Sequence, residues 1–117
     1  MIDERERRIY ELCERDPRFR PQAFFLIYMA LARARQLFAR EGHIRGRELL
    51  TAFAEEARDQ YGPMALTVLR HFGLRRTRDV GELVFRMVEE GLLSSTAEDC
   101  INDFDDVYDF AQAFPEQ

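Results

Sequence analysis

Residues 62–93 read GPMALTVLRHFGLRRTRDVGELVFRMVEEGLL, and their punctuation decides the fold. Gly62 suits the position just past a helix end, and Pro63 is pre-set for a first helical residue. Met64, Ala65, Val68, Leu69 and Phe72 then recur at the spacing of one helical face. Gly73 ends that helix, and Leu74 is placed to fold back onto Leu69, as in a Schellman cap. Arg75, Arg76, Thr77 and Arg78 form the turn. Thr77 is a candidate cap for the next helix; so is Asp79, with Glu82 three residues on. Val80, Leu83, Val84, Met87 and Val88 mark a second apolar face. Gly91 stops that helix, with Leu92 set to pack on Met87. Helix, short arginine-rich turn and helix make either a helix-turn-helix-like unit or an ordinary corner of a helical bundle, and helical corners are the commoner object.

Working outward, the 117 residues suit one domain, large enough to bury roughly two-thirds of its unfolded surface. A hydrophobic content of 46% with 33% charge is that of a soluble globular chain. All 17 basic residues are arginine. Cys13 and Cys100 are too few for a disulfide framework, so two reduced thiols and a cytoplasmic location are expected. The N-terminus is charged from its third residue and lacks the apolar core of a secretory signal. The longest apolar run, 23–32, is about half of what a membrane span needs, so no membrane association is expected.

In chain order, Ile2, Ile9, Leu12 and Cys13 form a thin stripe on a helix over about 3–15. Asp16 before Pro17 breaks it. Phe19 plugs the core. Pro21 opens a long helix to about Arg40, with bulk from Phe24, Phe25, Tyr28, Leu31, Leu37 and Phe38, and close approach at Ala23, Ala30, Ala32 and Ala34. Gly42 is its expected stop. His43, Ile44 and Arg45 connect to a third helix over 46–61, with Leu49, Leu50, Phe53, Ala54, Ala57 and Tyr61 inward. Beyond Leu93 the character changes: residues 94–117 hold seven acids and no base. Ser94, Ser95 and Thr96 are set to cap a short helix through Asn102, and Val107, Tyr108 and Phe110 suit a brief extended segment. The expected architecture is mainly α, a compact five- or six-helix single domain over 1–117. It has a helix-turn-helix-like corner, a short extended segment near the C-terminus, and the acidic segment 94–117 packed on the rest.

The blocks GRELL (46–50), YGPMALTVL (61–69), GLRRTRDVGELVF (73–85), VEEGLL (88–93), TAEDCINDF (96–104) and YDFAQAF (108–114) resemble the signature of a small family of uncharacterised bacterial proteins of about this length. The resemblance runs over nearly the whole chain, and DPRFRPQAFFLI (16–27) fits it loosely. The family carries no established activity, so no catalytic residue or cofactor is implied.

The chemistry-bearing residues exclude more than they suggest. His43 and His71 are the only imidazoles, and neither cysteine has a close partner, so no zinc site is expected. No nucleophile or base motif accompanies the histidines, which leaves an enzymatic reading with the least support and no catalytic residue to name. The acidic run from Asp103 fails as a calcium loop: Tyr108 stands where glycine belongs and Phe114 where the bidentate glutamate belongs. No metal and no cofactor are therefore expected.

Two surface readings follow. Arg75, Arg76 and Arg78, extended by Arg70 and Arg86, form a candidate contact for an anion, a nucleic acid or the acidic tail. Against a nucleic acid stands the net charge of −5, although residues 1–95 hold all 17 arginines against 15 acids. Matching of opposite charges within one domain favours a clasp by the tail over phosphate binding. Phe104, Tyr108, Phe110 and Phe114 either plug the core or form an interface with a protein partner or a second copy. The expectation is a non-enzymatic helical protein-interaction module with an unknown protein partner, self-association being one form of it. The alternative is a winged-helix-like nucleic-acid binder using the 75–78 turn.

Overall fold

The computed structural model describes residues 3–94 and 100–116. Helix α1 (Glu4–Arg15) begins where the Asp3 side chain accepts the Glu6 N–H at 2.8 Å. It ends at Asp16, as Pro17 requires. Ile9 and Leu12 are buried and Cys13 half-buried on its inner face, while Ile2 lies outside the described residues. Phe19 is buried in the link to α2 (Pro21–Leu37).

Helix α2 packs against α3 (Gly46–Tyr61), and this pair is the frame of the molecule. Fully buried Ala23, Ala30 and Ala34 on one helix and Ala52 and Ala57 on the other leave room for close packing. Arg33 staples the pair from outside, reaching Glu56 at 3.0 Å and Asp59 at 2.5 Å. Ala32 is exposed instead, on the opposite side of α2.

The end of α2 departs from expectation. The helix stops at Leu37, not near Arg40, and Gly42 plays no part in stopping it. Ala39 takes the left-handed conformation, φ 52°. The Arg40 N–H reaches the Arg35 carbonyl at 3.0 Å and the Ala39 N–H reaches Gln36 at 3.4 Å. These are the two bonds of a Schellman ending, made without glycine. Leu37 and Phe38 consequently lie past the core and are exposed.

After α3, a 3₁₀ turn (Gly62–Met64) precedes α4 (Ala65–His71). Its tighter winding takes Met64 out of register with the apolar face, so Met64 is exposed and Leu66 is buried beside Ala65 and Leu69. Gly73, at φ 96°, ends α4 as expected. The Leu74 N–H donates to the Leu69 carbonyl at 2.9 Å and the Gly73 N–H to Arg70 at 3.0 Å. A side chain at Gly73 would run into the Arg18 carbonyl. Helix α5 (Thr77–Glu89) closes in the same way: the Leu92 N–H meets the Met87 carbonyl at 2.8 Å and the Gly91 N–H meets Val88 at 3.0 Å.

The described residues beyond 100 lie against the body. A 3₁₀ turn (Ile101–Phe104) lies on α5 and α3, and a one-turn helix α6 (Phe110–Ala113) follows. Phe104 is the keystone. Its ring fills notches where Gly46 and Gly81 lack side chains; a Cβ would stand 2.9 Å from the ring at Gly46 and 2.7 Å from the Phe104 Cβ at Gly81. Residues 105–109 form an irregular turn with Asp106 at φ 47°, not the extended segment expected there, and Phe110 opens α6. The Thr77 hydroxyl shapes the turn, because it bonds the Phe104 carbonyl just before this stretch and the Val107 N–H in its middle. The expected cap at Ser95 and Thr96 lies outside the described residues.

The architecture is mainly α, with no strand among the described residues. The Cα radius of gyration is 13.6 Å, close to the roughly 13 Å expected of one compact domain of this size.

Candidate functional site

The corner between α4 and α5 is built from several directions. Asp79, in the first turn of α5, is buried, and its carboxylate accepts the N–H groups of Arg75 at 2.9 Å and Arg76 at 3.2 Å. Neither Thr77 nor Asp79 occupies the cap position. Arg76 does, and Asp79 reaches back to satisfy the turn. Arg18, from the link before α2, completes the charge balance, with its guanidinium 3.2 Å from Asp79 and bonded to Glu82. Arg18 and its hydrogen bonds hold the Glu82 carboxyl below the usual glutamate range. The Arg20 N–H donates to the Phe72 carbonyl at 3.1 Å, tying the start of α2 to the same corner.

Thr77 is fully buried. Its hydroxyl donates to the Phe104 carbonyl at 2.5 Å and accepts the Val107 N–H at 3.2 Å. The hydroxyl expected to cap α5 therefore clamps the C-terminal segment.

The five arginines proposed from sequence separate into two sets. Arg78 and Arg86 are neutralised internally. Arg78 meets Asp105 at 2.8 Å and Glu82 at 3.3 Å, and Arg86 meets Asp16 at 3.3 Å and Glu90 at 3.7 Å. Arg70, Arg75 and Arg76 point outward and are exposed. Arg76 has one distant contact, to Asp79 at 3.8 Å, while Arg70 and Arg75 make no ion pair among the described residues. The tail thus takes Arg78 through Asp105 and leaves the rest of the corner uncovered by the described residues. The adjoining Arg20 is also exposed and without an ion pair among them.

The four aromatic residues of the tail do not form an exposed face. Phe104, Phe110 and Phe114 are buried and Tyr108 is half-buried. Phe110 and Phe114 meet edge to face at 5.2 Å between ring centres, and Phe110 stacks near Phe53 at 6.3 Å. The Tyr108 hydroxyl donates to the Leu50 carbonyl at 2.8 Å, and burial pushes its phenol well above the usual range. The large apolar side chains that are exposed lie elsewhere: Tyr10, Met29, Leu37, Phe38 and Met64.

The histidines are separate. His71 is exposed at the end of α4, and His43 is half-buried in the loop before α3. No group of three or more His, Cys, Asp or Glu side chains is arranged to hold a metal among the described residues. Cys13 and Cys100 are both free thiols, and burial raises the pKa of Cys13. No helix of the described residues is long and apolar enough to cross a membrane.

Sequence reasoning missed Arg18, Arg20 and the anchoring role of Asp79. Arg18 lies 61 residues from its partner, and nothing local in DPRFR signals the pairing. Asp79 carried a weak signal, an acid in the first turn of a helix. Comparison with protein-family models, with curated proteins and with solved structures gives no match for this chain.

Proposed function

We propose that this protein is a helical interaction module that grips an acidic segment of a protein partner on the corner between α4 and α5. One observation carries the reading: a corner tied by Gly73, Asp79 and the Arg20 N–H displays Arg70, Arg75 and Arg76 outward without strong internal partners. Guanidinium groups held on a pre-organised backbone lose less entropy on pairing with a carboxylate than groups on a mobile loop.

The division of the arginines favours a protein over a duplex. A recognition helix offers its outward basic residues to phosphates and base edges. Here those of α5, Arg78 and Arg86, are already engaged by Asp105, Glu82, Asp16 and Glu90. No strand among the described residues supplies a wing. The net charge of −5 opposes the long-range attraction on which nucleic-acid binding depends.

The test is fluorescence anisotropy with a labelled Asp/Glu-rich peptide, a DNA duplex and a single-stranded RNA, at low and at physiological salt. The peptide is expected to bind. Replacing Arg70, Arg75 and Arg76 by Ala should weaken it roughly ten- to a hundredfold, from three contacts of about 0.5–1 kcal/mol each. Tighter binding of either nucleic acid, lost in the same triple variant, would replace this reading by the winged-helix-like one. Absence of binding to all three probes would end both.

A further inference from the structure

A second candidate cleft is lined by none of the residues of that corner. It opens between α2, the 41–44 loop, the first turn of α3 and the turn after α5, with a volume of about 540 Å³. That is the size of a small-molecule site. Its walls are mixed, with apolar surface from Leu31, Ile44, Leu49, Val84, Leu93 and Phe104 beside polar side chains. Leu31 and Leu93 are only half-buried, so the cleft keeps apolar surface in contact with water.

Two arginines stand in its lining, Arg5 from α1 and Arg35 from α2. Both are exposed, and neither makes an ion pair among the described residues. Arg5 lies over the ring of Tyr28, 4.9 Å from its centre. That cation covers the aromatic face on which a nucleobase would otherwise stack. The Tyr28 hydroxyl is committed to the Leu92 carbonyl at 2.8 Å, which ties the wall in place. Glu41 is the one carboxylate among the described lining residues. The site therefore combines apolar wall surface with a net positive charge among its described lining residues.

We propose that this cleft binds a single-chain amphipathic anion of the medium-chain carboxylate class, its tail along the apolar walls and its headgroup between Arg5 and Arg35. An alkylammonium of the same length would meet two like charges. A neutral alcohol would gain the apolar contact alone. A two-tailed phospholipid exceeds the volume.

The probes are decanoate, decanol and decyltrimethylammonium below their micellar concentrations, followed by calorimetry and by the methyl NMR signals of Leu31, Leu49, Val84 and Leu93. Decanoate should bind roughly tenfold or more tightly than decanol, the worth of one charge-assisted contact. The ammonium should not bind. Arg35→Glu, at an exposed position that leaves the fold intact by circular dichroism, should lose the preference for the anion. Glu41→Gln should tighten decanoate, and Leu31→Trp should block it by filling the trough. Equal affinity for decanoate and decanol would overturn the proposal. So would methyl shifts confined to the exposed Met29 and Met64, or no decanoate binding at all. Co-sedimentation with anionic phospholipid vesicles that Leu31→Trp abolishes would overturn it too, by assigning the cleft to a membrane lipid.

Discussion

The C-terminal segment and the corner between α4 and α5 carry opposite charge, and on composition alone they should neutralise one another. Among the described residues they meet through a single ion pair. Of the tail's described acids, Asp105 pairs with Arg78; what holds the described segment is the Phe104 ring in its two glycine notches and the Thr77 hydroxyl beneath it. The corner is held by a carboxylate of its own first turn and by Arg18, so it keeps Arg70, Arg75 and Arg76 outward. One region is fastened by shape and buried hydrogen bonds, the other left chemically open on a firm base. An exposed ion pair is worth about 0–1 kcal/mol, whereas burying an aromatic side chain is worth several times that. Charge therefore does not decide where the tail goes.

That contrast can be broken at its strongest point first. Phe104→Ala empties the notch against Gly46 and Gly81, and should cost about 3–5 kcal/mol in urea unfolding. A loss under 1 kcal/mol would mean that the tail adds little to the core. Thr77→Val keeps the shape but leaves the Val107 N–H without its acceptor and the Phe104 carbonyl without its donor, for about 1–3 kcal/mol. Were Thr77 merely a helix cap, the shortfall would be nearer 1 kcal/mol and amide exchange at Val107 would not change.

A smaller effect is expected from Glu82, which ties Arg18 to Arg78. Its folded pKa is depressed, first by the hydrogen bond from Arg18, so its contribution is complete above the ordinary value near 4.5. It is lost as pH falls through the lower folded value. Thermal melts of the wild type and Glu82→Gln should differ at pH 7 and converge toward pH 3; a gap that stays constant would remove Glu82 from the account. The smallest change in stability belongs to the open region. Replacing Arg70, Arg75 and Arg76 by Ala should move stability by no more than about 0.5 kcal/mol while weakening the acidic peptide. A large loss of stability would show that the corner's cations are structural after all.

Legibility followed the range of the interactions. The endings at Gly73 and Gly91 were readable because a Schellman cap is local and glycine marks it. The same ending at Ala39 carries no such sign, since alanine does not mark it, and the apolar pattern runs on through Leu37 and Phe38 although both are exposed. Met64 falls off the apolar face because a 3₁₀ turn interrupts the periodicity of one continuous helix. Within the site, the arginines themselves were plain to see. Which of them were already engaged was not, because Asp105 and Asp16 lie far away in the chain.

By itself the sequence determined the helical class, the starts at Pro21 and Gly46, the stops at Gly73 and Gly91, and the concentration of acid after residue 93. Each of these rests on backbone preferences or side-chain spacing within a few residues. Only the tertiary structure decided that Thr77 serves the tail and that Phe104 is a core residue. It also decided that Arg78 is engaged while Arg75 makes no ion pair among the described residues, and that a cleft with Arg5 and Arg35 in its lining opens beside α2. Those outcomes depend on which distant atoms come within about 3 Å of one another, and no periodicity along a chain encodes that distance.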